Sequence, residues 1–407
     1  ATIIVVLPKD ATGNVTLVMN NKPYFAKVSD GMAKVVVPSV SAGTHDFIVN
    51  YSGDDKYDKS TVNGTIKVNK KAATLIVEDL VKYYKGDEKL TAKLVDGRGN
   101  PIANADVAFN INGKDYIRKT NNEGIASMNI NLVAGTYNVA VKYNESSVNV
   151  TVTVKSTIVA DDLVKMYQDP TRFYAKFLDS TGKALANTQV RFNINGVFYT
   201  KTTNNDGVAD LGIMLRPGTY ILTAYNPANG EERGITITVK SLIVQSDLTK
   251  YYLNASRFQA TIYNKDGSLA VNKEVTFNIN GVFYHKTTDS NGVASLGIAL
   301  RPGEYIITTI VDGLDIGNKV TVLPTLVTKD LDMKYLDGSD FTAQTLDGQG
   351  KPLANQNVSF NVNGVFYHKV TNEDGIASLK IRLMSGEYII TSSWNNFQTG
   401  NTIKISP

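Results

Sequence analysis

The stretch Phe277-Asn278-Ile279-Asn280-Gly281-Val282-Phe283-Tyr284 decides the fold of this chain. Two runs of strand-forming residues flank the pair Asn280-Gly281, which predicts a two-residue β-hairpin because such a turn needs positive φ at both positions. The core of the stretch, Phe-Asn-Ile/Val-Asn-Gly, begins at Phe109, Phe192, Phe277 and Phe360. Spacings of 83, 85 and 83 residues predict a repeated domain.

Four further landmarks recur around each copy in the same order. They are an Asp-Leu pair starting at residues 79, 162, 247 and 330, an Asn at 104, 187, 272 and 355, a turn Gly at 124, 207, 292 and 375, and a Gly-x-Tyr at 135, 218, 303 and 386. A period of about 84 residues suits one small β domain. Residues 1–70 lack the landmarks, so we predict a first domain of a distinct type (1–70) followed by repeats 1 to 4 (71–155, 156–240, 241–323 and 324–407).

Alternation within each repeat indicates β-strands. In repeat 2, Phe173, Ala175 and Phe177 alternate with polar or amphipathic residues, the period of two that a half-buried strand shows. About seven short strands per repeat, separated by turn signals, are typical of an antiparallel sandwich. The predicted fold is all-β: five tandem immunoglobulin-like antiparallel β-sandwiches.

The joints between domains contain no Gly/Ser-rich or Pro-rich spacer. Strand-like residues run from one domain almost directly into the next, which limits bending between neighbours. We therefore expect a monomeric, extended rod roughly 150–200 Å long, from five sandwiches of strands that rise ~3.3 Å per residue.

Composition excludes several classes of function. The chain has no Cys and three His, which removes disulfides, thiolate zinc sites and Cys nucleophiles and disfavours a His-based hydrolase. The net charge of +4 divides as +2, +2, +1, 0 and −1 over the five domains, so no domain has the basic face that nucleic acid requires. No run of residues predicts a membrane span or a signal peptide, and the missing initiator Met suggests a piece of a longer protein.

At this point the repeats resemble a known family. Asp-Leu-Val-Lys-Tyr-Tyr (79–84), Asn-Gly-Val-Ala (291–294), Arg-Pro-Gly-Glu-Tyr-Ile-Ile-Thr (301–308) and the opening stretch are similar to repeats of adhesin-like surface proteins of methanogenic archaea, which are built of bacterial-type Ig-like domains. The first domain resembles a second Ig-like type of such proteins through Tyr51-Ser52-Gly53-Asp54-Asp55-Lys56-Tyr57-Asp58-Lys59-Ser60. The resemblance implies an extracellular protein, attached to the cell surface through regions outside this segment.

The predicted function is a non-enzymatic adhesin or stalk segment that projects from the cell envelope and mediates attachment to other cells or surfaces. Its expected partner is a surface glycan or a protein of another cell. Two alternatives stay open: a passive cell-wall or S-layer-like element, and the accessory β stalk of a secreted enzyme. The sequence contains no phosphate-binding loop, nucleophile elbow or His-Glu-x-x-His, so we predict neither catalysis nor a cofactor.

Asp79, Asp162, Asp247 and Asp330 recur just inside the start of each repeat. The main interpretation is a carboxylate that accepts hydrogen bonds from local backbone N–H groups at a strand break or domain joint. The alternative is a Ca²⁺ site at the joint, since hard cations need six to eight oxygen ligands.

Other recurrent side chains have competing interpretations. His285 and His368 share a position with Ile117 and Thr200, which favours a surface strand. The Val-Phe-Tyr runs at 197–199, 282–284 and 365–367 fit core packing better than an aromatic platform for sugars. Lys82, Lys165 and Lys250 suggest isopeptide cross-links, but the last strands offer no recurrent Asn or Asp partner, and in repeat 4 the lysine is shifted to Lys334. The single Trp394 has no counterpart.

The sequence also predicts N-glycosylation, because a surface protein exposes Asn-x-Ser/Thr sequons. These sequons start at Asn14, Asn50, Asn63, Asn144, Asn149, Asn254 and Asn357.

Overall fold

The computed structural model describes residues 1–69 and 72–407, and within those ranges every helix or strand is a β-strand. The predicted all-β class is confirmed, whereas the predicted boundary between residues 70 and 71 lies outside the described residues. Contacts divide the chain into two compact units, residues 1–157 with 179–183, and residues 158–178 with 184–407. The described residues include no helix with the length and hydropathy of a membrane span.

The first unit contains the first domain and repeat 1. The strands of the first domain are β1 (Thr2–Val6), β2 (Asn14–Met19), β3 (Lys22–Lys27), β4 (Met32–Val36), β5 (Gly43–Tyr51) and β6 (Ser60–Val68). Those of repeat 1 are β7 (Thr74–Val77), β8 (Leu80–Tyr83), β9 (Lys89–Val95), β10 (Asp106–Ile111), β11 (Lys114–Lys119), β12 (Ile125–Asn129), β13 (Gly135–Tyr143) and β14 (Ser146–Lys155). Sheet β1-β4 faces sheet β3-β2-β5-β6, and sheet β12-β9-β7 faces sheet β11-β10-β13-β14-β8.

The second unit contains the strands of repeats 2, 3 and 4. Repeat 2 has β15 (Ile158–Val159), β16 (Leu163–Met166), β17 (Arg172–Phe177), β18 (Gln189–Ile194), β19 (Val197–Thr202), β20 (Val208–Gly212), β21 (Gly218–Tyr225) and β22 (Glu232–Lys240). Repeat 3 has β23 (Ile243–Gln245), β24 (Leu248–Tyr251), β25 (Arg257–Ile262), β26 (Glu274–Ile279), β27 (Val282–Thr287), β28 (Val293–Gly297), β29 (Gly303–Val311) and β30 (Leu314–Leu323). Repeat 4 has β31 (Leu326–Thr328), β32 (Leu331–Lys334), β33 (Asp340–Thr345), β34 (Asn357–Val362), β35 (Val365–Val370), β36 (Ile376–Lys380), β37 (Gly386–Trp394) and β38 (Phe397–Ser406).

All four repeats share one topology, a three-stranded sheet packed on a five-stranded sheet. In repeat 2 the orders are β15-β17-β20 and β16-β22-β21-β18-β19, and repeats 3 and 4 repeat them strand for strand. The short second strand of each repeat pairs in parallel with the last strand: β8 with β14, β16 with β22, β24 with β30 and β32 with β38. Each repeat therefore has eight strands instead of the predicted seven, because its first strand breaks and its two halves join different sheets.

The hydrophobic cores follow the predicted alternation. Phe173, Ala175 and Phe177 are at most 2% exposed, and Phe192 packs edge-on against Phe173 with ring centres 5.8 Å apart. The equivalent aromatic pairs Phe258–Phe277 and Phe341–Phe360 have nearly the same geometry, with ring centres 5.9 and 5.8 Å apart. Each sandwich therefore has its own core.

The Asn-Gly hairpins are confirmed in the structure. In repeat 2, Asn195 has φ 52° and Gly196 has φ 77°, the positive pair that the two-residue turn requires. This turn fixes the register of β18 on β19, so that Phe192 lies opposite Tyr199 and Asn193 opposite Phe198.

Within the second unit, the loops of successive repeats are in direct contact. The Tyr251 ring at the end of β24 covers Gly350 in a turn of repeat 4 so closely that a Cβ there would overlap the ring. The Asn254 side chain donates a hydrogen bond to the Gly348 carbonyl at 2.6 Å. Between repeats 2 and 3, the Arg216 guanidinium contacts the Asp315 carboxylate at 2.9 Å. Side chains therefore bridge both joints of this unit.

Candidate functional site

The Val-Phe-Tyr runs lie on exposed edge strands. They open β19, β27 and β35, each at the free edge of a five-stranded sheet. Phe198, Phe283 and Phe366 are 55%, 57% and 63% exposed. The predicted core packing of these residues is wrong, because the three-stranded sheet leaves the edge strand uncovered and the register turns each Phe away from the core. These rings are a recurrent exposed feature of repeats 2 to 4.

Each Phe begins a straight row of four residues across the outer face of its sheet. In repeat 4, Phe366 lies opposite Asn361, Asn361 opposite Thr391, and Thr391 opposite Gly400. The same rows in the other two repeats are Phe283–Asn278–Thr308–Gly317 and Phe198–Asn193–Thr223–Gly234. We call them the outer rows. With strands about 4.8 Å apart, each row is roughly 14 Å long.

The Asn and Thr side chains of the outer rows are half-buried, whereas the Gly residues are exposed. In repeat 4 the Asn361 Oδ1 accepts a hydrogen bond from the Gly364 N–H of the hairpin at 3.1 Å, which holds the amide in place with its nitrogen available as a donor. The row thus presents an aromatic ring, an amide, a hydroxyl and a flat backbone surface in sequence.

Repeat 1 has the same strands with a different row. The equivalent positions are Asp115, Asn110, Ala140 and Asn149. The Asn110 amide donates to the Asp115 carboxylate at 2.6 Å, so the Asn is occupied by its neighbour. Repeat 1 therefore has no aromatic ring, no hydroxyl and no glycine in its row.

The outer row of repeat 2 is partly covered. The Arg191 guanidinium lies 4.7 Å from the centre of the Phe198 ring and 5.5 Å from that of Tyr225, within cation–π distance of both. Repeats 3 and 4 have Thr276 and Ser359 at the Arg191 position. The rows of repeats 3 and 4 are consequently the more open ones.

The recurrent Asp residues bind backbone N–H groups, as predicted, but these groups are not local, because they belong to the last strand of each repeat, 72 or 74 residues further along the chain. Each accepts a hydrogen bond from an N–H group of the last strand: Asp79 from Thr151 at 2.7 Å, Asp162 from Thr236 at 2.8 Å, Asp247 from Lys319 at 2.9 Å and Asp330 from Thr402 at 3.0 Å. They lie at the break between the first two strands of each repeat, where they connect it to the last strand.

Two of these carboxylates have a perturbed pKa. Hydrogen bonds from the Lys319 N–H and the Asn318 amide lower the pKa of Asp247, and those from the Thr402 N–H and the Asn401 amide lower the pKa of Asp330. Within residues 1–69 and 72–407, no group of three or more His, Cys, Asp or Glu side chains is placed to hold a metal. Calcium binding at these positions stays a prediction.

The lysines considered for isopeptide bonds are buried. Lys82, Lys165 and Lys250 are 3%, 6% and 5% exposed, and their ammonium groups donate to main-chain carbonyls. The recurrent acceptor is the carbonyl of Ile130 at 3.0 Å, Ile213 at 2.9 Å or Ile298 at 2.7 Å. Burial lowers the pKa of Lys165 and Lys250. We call the main-chain carbonyls that accept hydrogen bonds from one of these lysines its lysine cage.

The remaining candidates lie on the surface. His285 and His368 are exposed on the edge strands β27 and β35, as predicted, and His285 lies 3.2 Å from the Thr276 hydroxyl. Trp394 packs at the margin of the repeat 4 core. Six sequon residues are exposed, namely Asn14, Asn50, Asn63, Asn144, Asn149 and Asn357, whereas Asn254 is half-buried in the joint described above.

The sequence contained one signal for the outer rows that the interpretation missed. The alternation that buries Phe192 and Ile194 necessarily turns Asn193 outward, next to the strand that contains Phe198. The Thr and Gly members were not recognised because they come from β21 and β22, whose register on β18 no local pattern specifies.

No protein-family model matches the chain. In sequence, it is 22% identical, over an alignment that spans 472 residues, to the inverse autotransporter adhesin YeeJ of Escherichia coli (strain K12), and the alignment covers 98% of this chain and 20% of that protein. The chain thus spans about a fifth of the length of this curated relative.

The solved structures that match the chain have low overall similarity to it. Invasin, described as a bacterial integrin-binding protein, is 13% identical, with 94% of this chain and 100% of that chain covered and a TM-score of 0.27. The N-terminal eight Ig domains of Down Syndrome Cell Adhesion Molecule are 11% identical, with 100% and 58% covered and a TM-score of 0.24. Scores this low carry no argument about the function of this chain.

Proposed function

We propose that this chain is a non-enzymatic adhesive stalk segment of an extracellular protein, attached to its cell through regions outside the segment. The observation that carries the proposal is the recurrence of an exposed Phe on the edge strand of the five-stranded sheet in three successive repeats. A large apolar side chain that is more than half exposed gains little from folding, so its repetition at Phe198, Phe283 and Phe366 favours a role in contact with a partner.

The similarity to an E. coli adhesin supports this proposal. The chain spans only a fifth of that protein, so a role of this segment in attachment is a proposal. The expected partner is a surface glycan or a protein of another cell.

The stalk part of the proposal rests on the joints. The Tyr251–Gly350 contact, the Asn254 hydrogen bond and the Arg216–Asp315 ion pair restrict bending between successive repeats of the second unit. We propose the domain limits given above and a monomeric rod roughly 150–200 Å long, the added length of five sandwiches. Small-angle scattering tests the shape, and a maximum dimension near 80 Å (an estimate for a folded-back arrangement of such domains) would contradict it.

An extracellular location also predicts glycans on a subset of the six exposed sequons. Asn254 should stay bare, because its half-buried amide nitrogen faces the Gly348 carbonyl in the joint, where a glycan would collide with the neighbouring repeat. Intact-mass analysis and peptide mapping of native material measure both, and a mass equal to the bare polypeptide would refute the glycosylation.

Adhesion is tested with beads coated with the full chain. We expect the coated beads to attach to cells or to a polysaccharide-coated surface above the level of beads coated with an unrelated protein. Attachment at the background level on every surface tested would support a passive spacer and refute the adhesive role.

A further inference from the structure

We propose that the outer rows of repeats 2 to 4 are binding sites for neutral glycans, with those of repeats 3 and 4 open and that of repeat 2 partly capped by Arg191. This inference rests on the proposed adhesive function and names its ligand class. Each row offers what a neutral sugar ring uses: an aromatic face for its C–H surface, and an amide and a hydroxyl that donate and accept hydrogen bonds to its hydroxyl groups.

The strand glycines are the second observation that points to a ligand. Glycine in a strand interior weakens the strand and often marks a place where a ligand approaches the backbone closely. The folding of these sheets does not explain the glycines. A Cβ at Gly400 meets no atom within 4 Å, and one at Gly317 or Gly234 meets only an Ile methyl at 3.5 or 3.4 Å, an ordinary contact.

None of the three strand glycines has the positive φ that would require glycine. Yet each occupies the fourth place of its row, whereas repeat 1, which lacks the aromatic ring, has Asn149 there. Glycine and Phe therefore occur together or not at all, although the two residues are three strands apart. A flat object that lies along the whole row accounts for both.

The chemistry of the row selects a neutral sugar over other occupants. The four members of each row are uncharged, and only the row of repeat 2 has a guanidinium, that of Arg191, on its Phe ring, so the chemistry of the rows of repeats 3 and 4 favours a neutral glycan over an acidic one. An apolar protein surface would bury the Asn and Thr side chains without hydrogen-bond partners, which is unfavourable. Pairing with the free edge of β27 or β35 would not reach Gly317 or Gly400, three strands away.

The outer row is repeated on successive domains, which allows each single site to bind weakly. Rows on successive domains of one chain engage a polysaccharide with several sites at once, which raises the overall affinity without any new contact. Loss of two rows should therefore reduce binding by more than the loss of one.

The test uses the full chain on an array of neutral and acidic oligosaccharides and in affinity electrophoresis through gels that contain mannan, galactomannan or xyloglucan, with alginate as the acidic matrix. We expect retention by at least one neutral glycan. The variant Gly317→Thr/Gly400→Thr should lose about tenfold or more of that binding. Its melting temperature should be unchanged or higher, because Thr favours strands more than Gly does.

Phe283→Ala/Phe366→Ala should lose binding to a similar extent. Tyr174→Ala is the matched control, since Tyr174 is 57% exposed on the three-stranded sheet of repeat 2, away from the rows. Arg191→Thr should increase binding by uncovering Phe198.

The proposal is overturned if the wild-type chain binds no neutral glycan, if only acidic glycans are retained, or if the glycine and Phe variants bind as wild type does.

Sedimentation measures self-association, and a dimer that the Phe variants abolish would assign the rows to a second copy of the chain. If coated beads attach to cells and the glycine variant attaches equally well, the glycan site is wrong while the adhesive function stands. If beads do not attach but the chain binds neutral glycans through the rows, the glycan site stands while the adhesive function is wrong.

Discussion

Repeats 1 to 3 have a buried lysine in their second strand, and repeat 4 has a methionine at the same position. Lys82, Lys165 and Lys250 lie opposite a buried Val of the last strand, and Met333 lies opposite the buried Ile405 in the same register. Met333 is 6% exposed, as deeply buried as Lys165. One fold thus accepts either an ammonium group or a thioether at the same point of its core.

The difference shows that the charge is not required for folding. Burying an ammonium group is unfavourable unless several acceptors surround it, and the lysine cages provide carbonyls for this purpose. Met fills similar volume with no charge to compensate. The lysine therefore connects loops through hydrogen bonds, as Lys82 does to the carbonyls of Gly86 and Ile130. In repeat 4, apolar packing takes the place of this connection.

The absence of Cys allows each repeat to be measured separately. Ala92, Ala175, Ala260 and Ala343 are equivalent core positions that are at most 1% exposed. A single Cys at one of them reacts with a thiol reagent only when that repeat opens, so the rate of labelling reports the stability of one repeat within the full chain.

The largest effect is expected when a lysine cage is emptied. Lys250→Ala should reduce the free energy of unfolding of repeat 3 by about 3 kcal/mol, because the Ile298 carbonyl loses its donor and a cavity is left. Labelling of Ala260→Cys measures this loss. Lys334→Ala is the control, since Lys334 is exposed, and it should change repeat 4 by less than about 0.5 kcal/mol. A loss for Lys250→Ala no larger than that of the control would disprove the cage.

A backbone change should have a smaller effect and tests whether repeats are independent. Gly196→Val should destabilise repeat 2 by roughly 2 kcal/mol, because a β-branched residue is strained at φ 77° although its Cβ meets no atom within 4 Å. Gly234→Val, in the same repeat without positive φ, should not destabilise it. Faster labelling at Ala260 as well as Ala175 in the Gly196 variant would show that repeats 2 and 3 unfold together.

Placing the Met of repeat 4 at the equivalent lysine position of repeat 3 should change the stability of repeat 3 little. Lys250→Met removes a buried charge and keeps most of the volume, so we expect a change of about 1 kcal/mol or less in either direction. The same labelling at Ala260→Cys applies. A loss as large as that of Lys250→Ala would mean that repeat 4 contains compensating changes beyond Met333.

The smallest expected effect is a dependence on alkaline pH in repeats 2 and 3. Burial lowers the pKa of Lys165 and Lys250 below the ordinary 10.5, so the unfolded chain binds more protons than the folded one between the folded pKa and 10.5. Stability should therefore rise with pH through that window. Unfolding of wild type and Lys250→Met, compared at pH 7 and pH 10, measures the difference, and an equal response in both would refute it.

Local patterns predicted the faces of most strands but not the environment of the edge strands. Phe173 and Phe192 alternate with polar residues, and that alternation fixes the side that is buried. Phe198 belongs to a run that is equally apolar, yet it is exposed because its register opposite Asn193 places it on the outer face of the sheet, on an edge strand with no neighbour beyond it. Strand order is a long-range property, so the same composition predicted core for both.

The local sequence predicted that the carboxylates at the strand breaks accept backbone hydrogen bonds, but it predicted neither their distant partners in the last strand nor the outer rows. An Asp at a break in a strand has few roles other than to accept backbone hydrogen bonds, and Asp162 does so. The row Phe366–Asn361–Thr391–Gly400 joins residues up to 39 positions apart, and it exists only once the registers of four strands are known.

The parallel pairing of the second and last strands determines how a repeat responds to tension. A pull on the two ends of the chain draws β8 backward and β14 forward, so the ladder from Leu80–Val152 to Tyr83–Lys155 is loaded in shear and its hydrogen bonds must break together. All the pairings described in the first domain are antiparallel. In single-molecule stretching we therefore expect four unfolding events at high force, one for each repeat, preceded by one weaker event from the first domain.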